Sequence, residues 1–257
     1  MSDVSADIID TPAERSYLHK PPVWAVWKVG MEIENGTPEA QTHLTFTQPR
    51  KRNQLMSNIV LVNNTAETIR LAIFQKPVYN PTLATIAWQI AAPPPGGTSI
   101  VALPDDFSLH ARYSNDPNRP DNLDTSAKPV SFAETSAAFT IDSVMSQDRL
   151  ANGAVINQTF NDLVLNEVRV KNNFSIGVEA SILRGQDAIY EPQIIWPGGL
   201  FMEDVRASLY VAVVSQFTYK GQRLVQEEIS ITQTEVLEGD ALTVTGSKWK
   251  GYALSKA

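Results

Sequence analysis

Two short stretches of this 257-residue chain hold the residues whose types and spacing could do chemistry. In SNDPNRPDNLDTSAKP (114–129), Asp116, Asn118, Asp121, Asn122 and Asp124 concentrate the oxygen ligands that calcium takes. The stretch lacks the glycine and closing glutamate of an EF-hand loop, and Pro117 and Pro120 restrict how it can wrap a cation. A calcium loop and a simple acidic loop therefore both stand as readings. In DAIYEPQIIWPGG (187–199), Tyr190 and Trp196 lie close to Asp187, Glu191 and Gln193. An indole can stack on the apolar face of a sugar while acids and amides bind its hydroxyls, so this segment is the candidate carbohydrate or other ligand site.

Catalytic patterns are missing. The histidines His19, His43 and His110 are dispersed, with no HxxxH or HExxH spacing to anchor zinc, and no GxSxG elbow, GxGxxG or GxxxxGK[ST] loop occurs. Without cysteine there is no thiolate ligand, cysteine nucleophile or disulfide framework. The adjacent acids Asp105-Asp106, Glu203-Asp204 and Glu227-Glu228 would project to opposite faces of a strand, so neither a shared proton nor a grip on a glycosidic bond follows, and solvated surface is expected. The reading is non-enzymatic, with no catalytic residue and no cofactor.

The elements that must position these residues are strands. In TIRLAIF, Ile69, Leu71 and Ile73 alternate with Arg70 and Ala72, and in GVEASIL, Val178, Ala180 and Ile182 alternate with Glu179 and Ser181. SLYVAVVSQFTY (208–219) reads as one long strand, and EISITQTEV and ALTVTG close the chain with apolar residues at every second place. No window carries a helical i, i+3, i+4, i+7 stripe. Asn35-Gly36, Asn63-Asn64, Asn152-Gly153, Asn172-Asn173 and Glu238-Gly239-Asp240 supply turn residues, so the expected fold is an all-β antiparallel sandwich. Trp88, sharing a strand face with Ile86, is expected to plug the core. Trp196, just before a turn, is expected to be partly exposed.

MEIENGTPEAQTHLTFTQ (31–48), IVLVNNTAETIRLAIFQ (59–75) and EVRVKNNFSIGVEASIL (167–183) each read as strand, Asn-containing turn, alternating strand, the pattern of three similar hairpins. The second runs on to Trp88 and Pro95-Gly96-Gly97, and the third to Trp196 and Pro197-Gly198-Gly199. The expected organisation is an N-terminal arm (1–22), a first β half (23–113), the acidic, proline-rich loop (114–130) and a second β half (131–257), two similar halves packed together or one continuous sandwich.

A formal charge of −7 opposes binding to polyphosphate, and Arg50-Lys51-Arg52 reads as a solvated turn, so nucleic acid is not an expected partner. The opening MSDVSADIID has acids where a signal peptide carries positive charge, and no apolar run approaches the length of a membrane span. A cytoplasmic site follows as the expectation, with export by a route lacking a cleaved signal left open.

The run Val62-Asn63-Asn64-Thr65, then Phe74-Gln75 before Pro77, then Ala87-Trp88 and Pro95-Gly96, resembles the bacterial family around the rhizosphere-expressed protein RhiA. The resemblance spans roughly residues 57–250, with Thr65 where serine is usual and no match for the first fifty or so. It implies an abundant bacterial β-protein and no reaction. The expected role is therefore structural: a self-associating homo-oligomer built through strand edges and the N-terminal arm, with glycan binding near Trp196 as the alternative.

Overall fold

The computed structural model describes residues 57–116, 118–132, 136–145, 152–159, 163–225 and 229–257, all within one compact unit. The N-terminal arm, the 31–48 unit, His19, His43, the Arg50 cluster and Glu227-Glu228 lie outside the described residues. Among the described residues there are eighteen strands and no helix. In chain order they are β1 (Ser57–Asn63), β2 (Arg70–Gln75), β3 (Gln89–Ala91), β4 (Thr98–Leu103), β5 (Phe107–Tyr113), β6 (Thr125–Ser126), β7 (Val130–Phe132), β8 (Ala137–Met145) and β9 (Asn152–Thr159). There follow β10 (Glu167–Asn172), β11 (Val178–Arg184), β12 (Asp187–Ala188), β13 (Gln193–Ile195), β14 (Leu200–Asp204), β15 (Leu209–Val214), β16 (Ile229–Val236), β17 (Ala241–Ser247) and β18 (Gly251–Lys256).

Four sheets result, in the orders β18-β17-β1-β4, β16-β15-β2-β3, β14-β10-β8-β9 and β12-β11-β5-β6, with β13 also on β11 and β7 on β5. The first two sheets form one sandwich from residues 57–103 and 209–257. The other two form a second from residues 107–204, where Phe132 of β7 meets Phe139 of β8 edge to face. Alternating residues of every sheet point inward to one continuous core, from Leu61 and Val244 through Ile73, Val211 and Trp88 to Leu109, Ile182, Val170 and Ile141.

The central strands of the two sandwiches repeat each other in order and register. Leu61 lies opposite Ser99 as Val170 lies opposite Phe201. Asn63 runs parallel to Val244 as Asn172 does to Ile141, and Ile73 faces Val211 as Ile182 faces Leu109. The partners are exchanged between the halves: β5 follows β4 but pairs with β11, while β15 follows β14 but pairs with β2. By these registers the strands from β1 to β9 repeat as those from β10 to β18, so the repeats divide in sequence between β9 and β10 rather than at the loop 114–130, whereas the packed bodies divide at the crossovers 104–106 and 205–208.

The expected hairpins are corners, because β1 and β2 belong to different sheets, as do β10 and β11. The cause is an asparagine buried at each corner. Asn63 Nδ2 donates to the carbonyls of Glu67 (2.8 Å) and Pro93 (3.0 Å), and its Oδ1 accepts from Thr65 N (2.9 Å). Asn172 Nδ2 donates to Ile176 (2.8 Å) and Ile195 (2.7 Å), and its Oδ1 accepts from Phe174 N (2.8 Å). Next to each, a glycine in the left-handed region, Gly96 (φ 67°) or Gly198 (φ 75°), donates its N–H to that asparagine's carbonyl. Asn152-Gly153, by contrast, lies inside β9 and is no turn.

Each crossover is fastened by the last residue of the strand it passes. Gln75 Nε2 donates to Ala207 O (2.6 Å), and Arg184 Nε donates to Pro104 O (2.6 Å). The Arg184 guanidinium is buried over the Trp88 ring at 5.3 Å and reaches Glu238 at 3.3 Å; burial pushes its pKa down while Glu238 pulls it back. Glu203 is not the solvated acid expected. It is fully buried, accepting the N–H groups of Val78 (2.6 Å), Tyr79 (2.9 Å) and Asn80 (3.1 Å), and so pins the loop between β2 and β3.

Candidate functional site

The outward face of the sheet built on β5 and β11 is open among the described residues, and it carries Trp196. Period two puts Arg112 and His110 of β5, Glu179 and Ser181 of β11, and Ile194 of β13 on that face, in a cross-strand row where Ser126 faces Arg112, Arg112 faces Glu179, and Glu179 faces Ile194. Arg112 and Glu179 form an ion pair at 3.2 Å, and Arg112 also donates to Leu123 O at 2.7 Å. His110 faces Ser181, and burial lowers the imidazole pKa. Trp196 is 61% exposed, and its ring is seated over Gly177, where a Cβ would lie 3.2 Å from two ring carbons. The indole thus lies against the sheet with little side chain beneath it, flanked by the exposed Ile194.

The equivalent face in the other sandwich is sealed. There Ala72, Phe74, Ala87, Ala212 and Val214 form a second apolar cluster, with Leu224 and Ile229 packed against it. One of two repeated faces is therefore closed by apolar cover while the other stays open, polar and aromatic. That difference makes the Trp196 face the candidate site.

The other residues grouped with Trp196 by sequence are taken up elsewhere. Tyr190 is only 2% exposed, its hydroxyl donates to Asp204 O, and burial pushes its pKa far up, so it cannot stack on a ligand. By strand register it is the counterpart of Trp88, and both fill the core; the counterpart of Trp196 is Pro94, which corrects the pairing of Trp88 with Trp196. Glu191 is held by Arg223 at 2.5 Å, Asp187 by Lys220 and Gln89 (both 2.8 Å), and Gln193 Nε2 donates to Pro192 O at 3.1 Å. In the acidic loop Asp116 accepts Asn118 N (2.9 Å), Asn122 donates to Asp124 (2.9 Å), and Asp121 is exposed. Among the described residues no three His, Cys, Asp or Glu side chains group as a metal site would need.

A second site escapes sequence reasoning. The corner after β1, the turn after β15 and the β17–β18 hairpin enclose a cleft of about 280 Å³ lined by Glu67, Arg70, Gln216, Phe217, Lys248 and Tyr252. Glu67 accepts the Tyr252 hydroxyl at 2.9 Å and Lys248 N at 3.2 Å, and Arg70 donates to Gln216 O at 3.0 Å. The available signal was Lys248-Trp249-Lys250-Gly251, a basic-aromatic hairpin tip.

No family model, curated protein or solved structure matches the chain.

Proposed function

We propose that the chain is a non-catalytic structural protein that self-associates through the edges of its sheets. The observation that carries this reading is β4. Its sequence, Thr98-Ser-Ile-Val-Ala-Leu103, holds no charge and no proline, among the described residues it pairs only with β1, and Ile100 on it is 68% exposed. Edge strands are ordinarily guarded by lysine, proline or a bulge, because an open row of N–H and C=O groups templates pairing with another chain. The strand β9, Asn152-Gly-Ala-Val-Ile-Asn-Gln-Thr159, likewise an edge among the described residues, is equally uncharged. The buried polar side chains Asn63, Asn172 and Glu203 support the reading, since each is spent on holding a corner or loop.

Light scattering after size exclusion tests it. The full chain should elute as a dimer or larger, Ile100→Lys should shift it toward monomer, and removing residues 1–22 reads the share of the arm. Three identical monomeric profiles end the proposal. An RhiA-like bacterial origin and a cytoplasmic site belong to the same proposal and rest on the sequence pattern alone.

The open Trp196 face favours a second reading, a carbohydrate-binding module. A flat, supported indole beside an ion pair and hydroxyls suits the apolar face and hydroxyl rim of a sugar. On this reading Trp196→Ala lowers binding on a glycan array at least about tenfold, the loss of a contact worth roughly 1.4 kcal/mol. Undiminished signal from the variant sinks it.

A further inference from the structure

We infer that the turn after β15 and the β17–β18 hairpin together dock the protein on an anionic lipid surface. Phe217 in the turn is 89% exposed and Trp249 at the hairpin tip is 91% exposed, so neither ring is seated on the protein. Trp196 rests on Gly177 as a platform would; Trp249 projects. Bare aromatic rings at loop tips leave water readily at the headgroup boundary of a bilayer, where Trp and Phe settle.

Both tips are held by hydrogen bonds. Thr218 N donates to Ser215 O (3.1 Å) and Phe217 N to Ser215 Oγ (3.3 Å), while Gly246 faces Tyr252 and Ser247 faces Gly251 in the hairpin ladder. Gly246 adopts φ 102°, and a Cβ there would sit 2.2 Å from Gly251 O, so the approach to the tip is close-packed backbone. Little ordering remains to be done on insertion.

Charge selects the surface. Lys248 and Lys250 flank Trp249, and among the described residues neither ammonium meets a carboxylate. Arg70 lines the cleft between the tips, and among the described residues Glu67 is the only acid lining it. On a chain of formal charge −7 this is, among the described residues, a local reversal of sign, so an anionic bilayer would draw this end in and repel the rest. Lysines beside an inserted ring can keep their ammoniums at the phosphates while their stems cover the ring.

Co-sedimentation with phosphatidylcholine vesicles, with and without phosphatidylserine, tests the inference on the full chain. Binding should require phosphatidylserine and weaken with salt. Trp249→Ala with Phe217→Ala should lower the partition coefficient at least about tenfold, and Lys248→Glu with Lys250→Glu should remove its salt-sensitive part. Brominated lipid should quench tryptophan emission in the wild type and fail to do so in Trp249→Ala. These side chains are exposed, so an unchanged melting temperature verifies the fold, and Trp196→Ala should bind as the wild type does. Failure of the full chain to sediment, capture by a soluble protein without vesicle binding, or equal binding by the Phe217/Trp249 variant each overturns the inference.

Discussion

Trp88→Ala lowers the stability of the protein by about 3–5 kcal/mol, a fall in melting temperature on the order of 10 °C for a chain of this size. Trp88 is fully buried at the meeting of the two sandwiches, and its removal strips both the transfer energy of an indole and the surface on which the Arg184 guanidinium rests at 5.3 Å. The arginine is itself buried, and collapse of the void would drag it from Pro104 O and Glu238. The indole N–H has no hydrogen-bond partner among the described residues, so Trp88→Phe loses volume yet also removes an unpaired donor and should cost less than half as much. Thermal melts of both variants beside wild type check this. A loss under about 1 kcal/mol for Trp88→Ala would mean that the ring does not fill the core.

Replacing either corner asparagine is the second large effect. Asn172→Ala deprives the carbonyls of Ile176 and Ile195 of their donor and Phe174 N–H of its acceptor, all beside a fully buried position. At roughly 1–3 kcal/mol per stranded group, about 3 kcal/mol or more is lost. Asn63→Ala should cost about 1 kcal/mol less, because the Thr65 hydroxyl already reaches Glu67 O at 3.0 Å and accepts from Glu67 N at 3.2 Å, a substitute that Phe174 lacks at the other corner. Urea denaturation of the two variants measures the difference. Equal and small losses would show that the corners hold without their amides.

The strands were legible because their faces meet unlike surroundings. Val178, Ala180 and Ile182 face the core while Glu179 and Ser181 face outward, and period two reports that directly. On β2 the same reading fell short: Ala72 and Phe74 are buried as well, under a cover contributed by residues far along the chain, which no local window contains. The run 208–219 broke at Ser215, whose carbonyl and hydroxyl close a turn that β-propensity cannot register. Asn63 and Asn172 were recognised as turn residues, but their amides point inward, and direction is set by packing rather than residue type. Of the sequence-grouped ligand residues, Trp196 is exposed as expected and Tyr190 is not. Segment composition cannot tell a core aromatic from a surface one when both sit in irregular chain between short strands.

The exchanged pairing sets an order on synthesis. Residues 107–204 follow one another in the chain and hold every described strand of their sandwich, so this body can close on the ribosome as soon as it emerges. β1 and β2 emerge earlier, yet their flanks must wait for β17 and β15. For the whole of that interval two apolar flanks stand bare, and the last-made strands carry the slow, long-range closure of the loop. A ribosome stalled before residue 209 would release a chain with one finished body and one hungry for any passing strand.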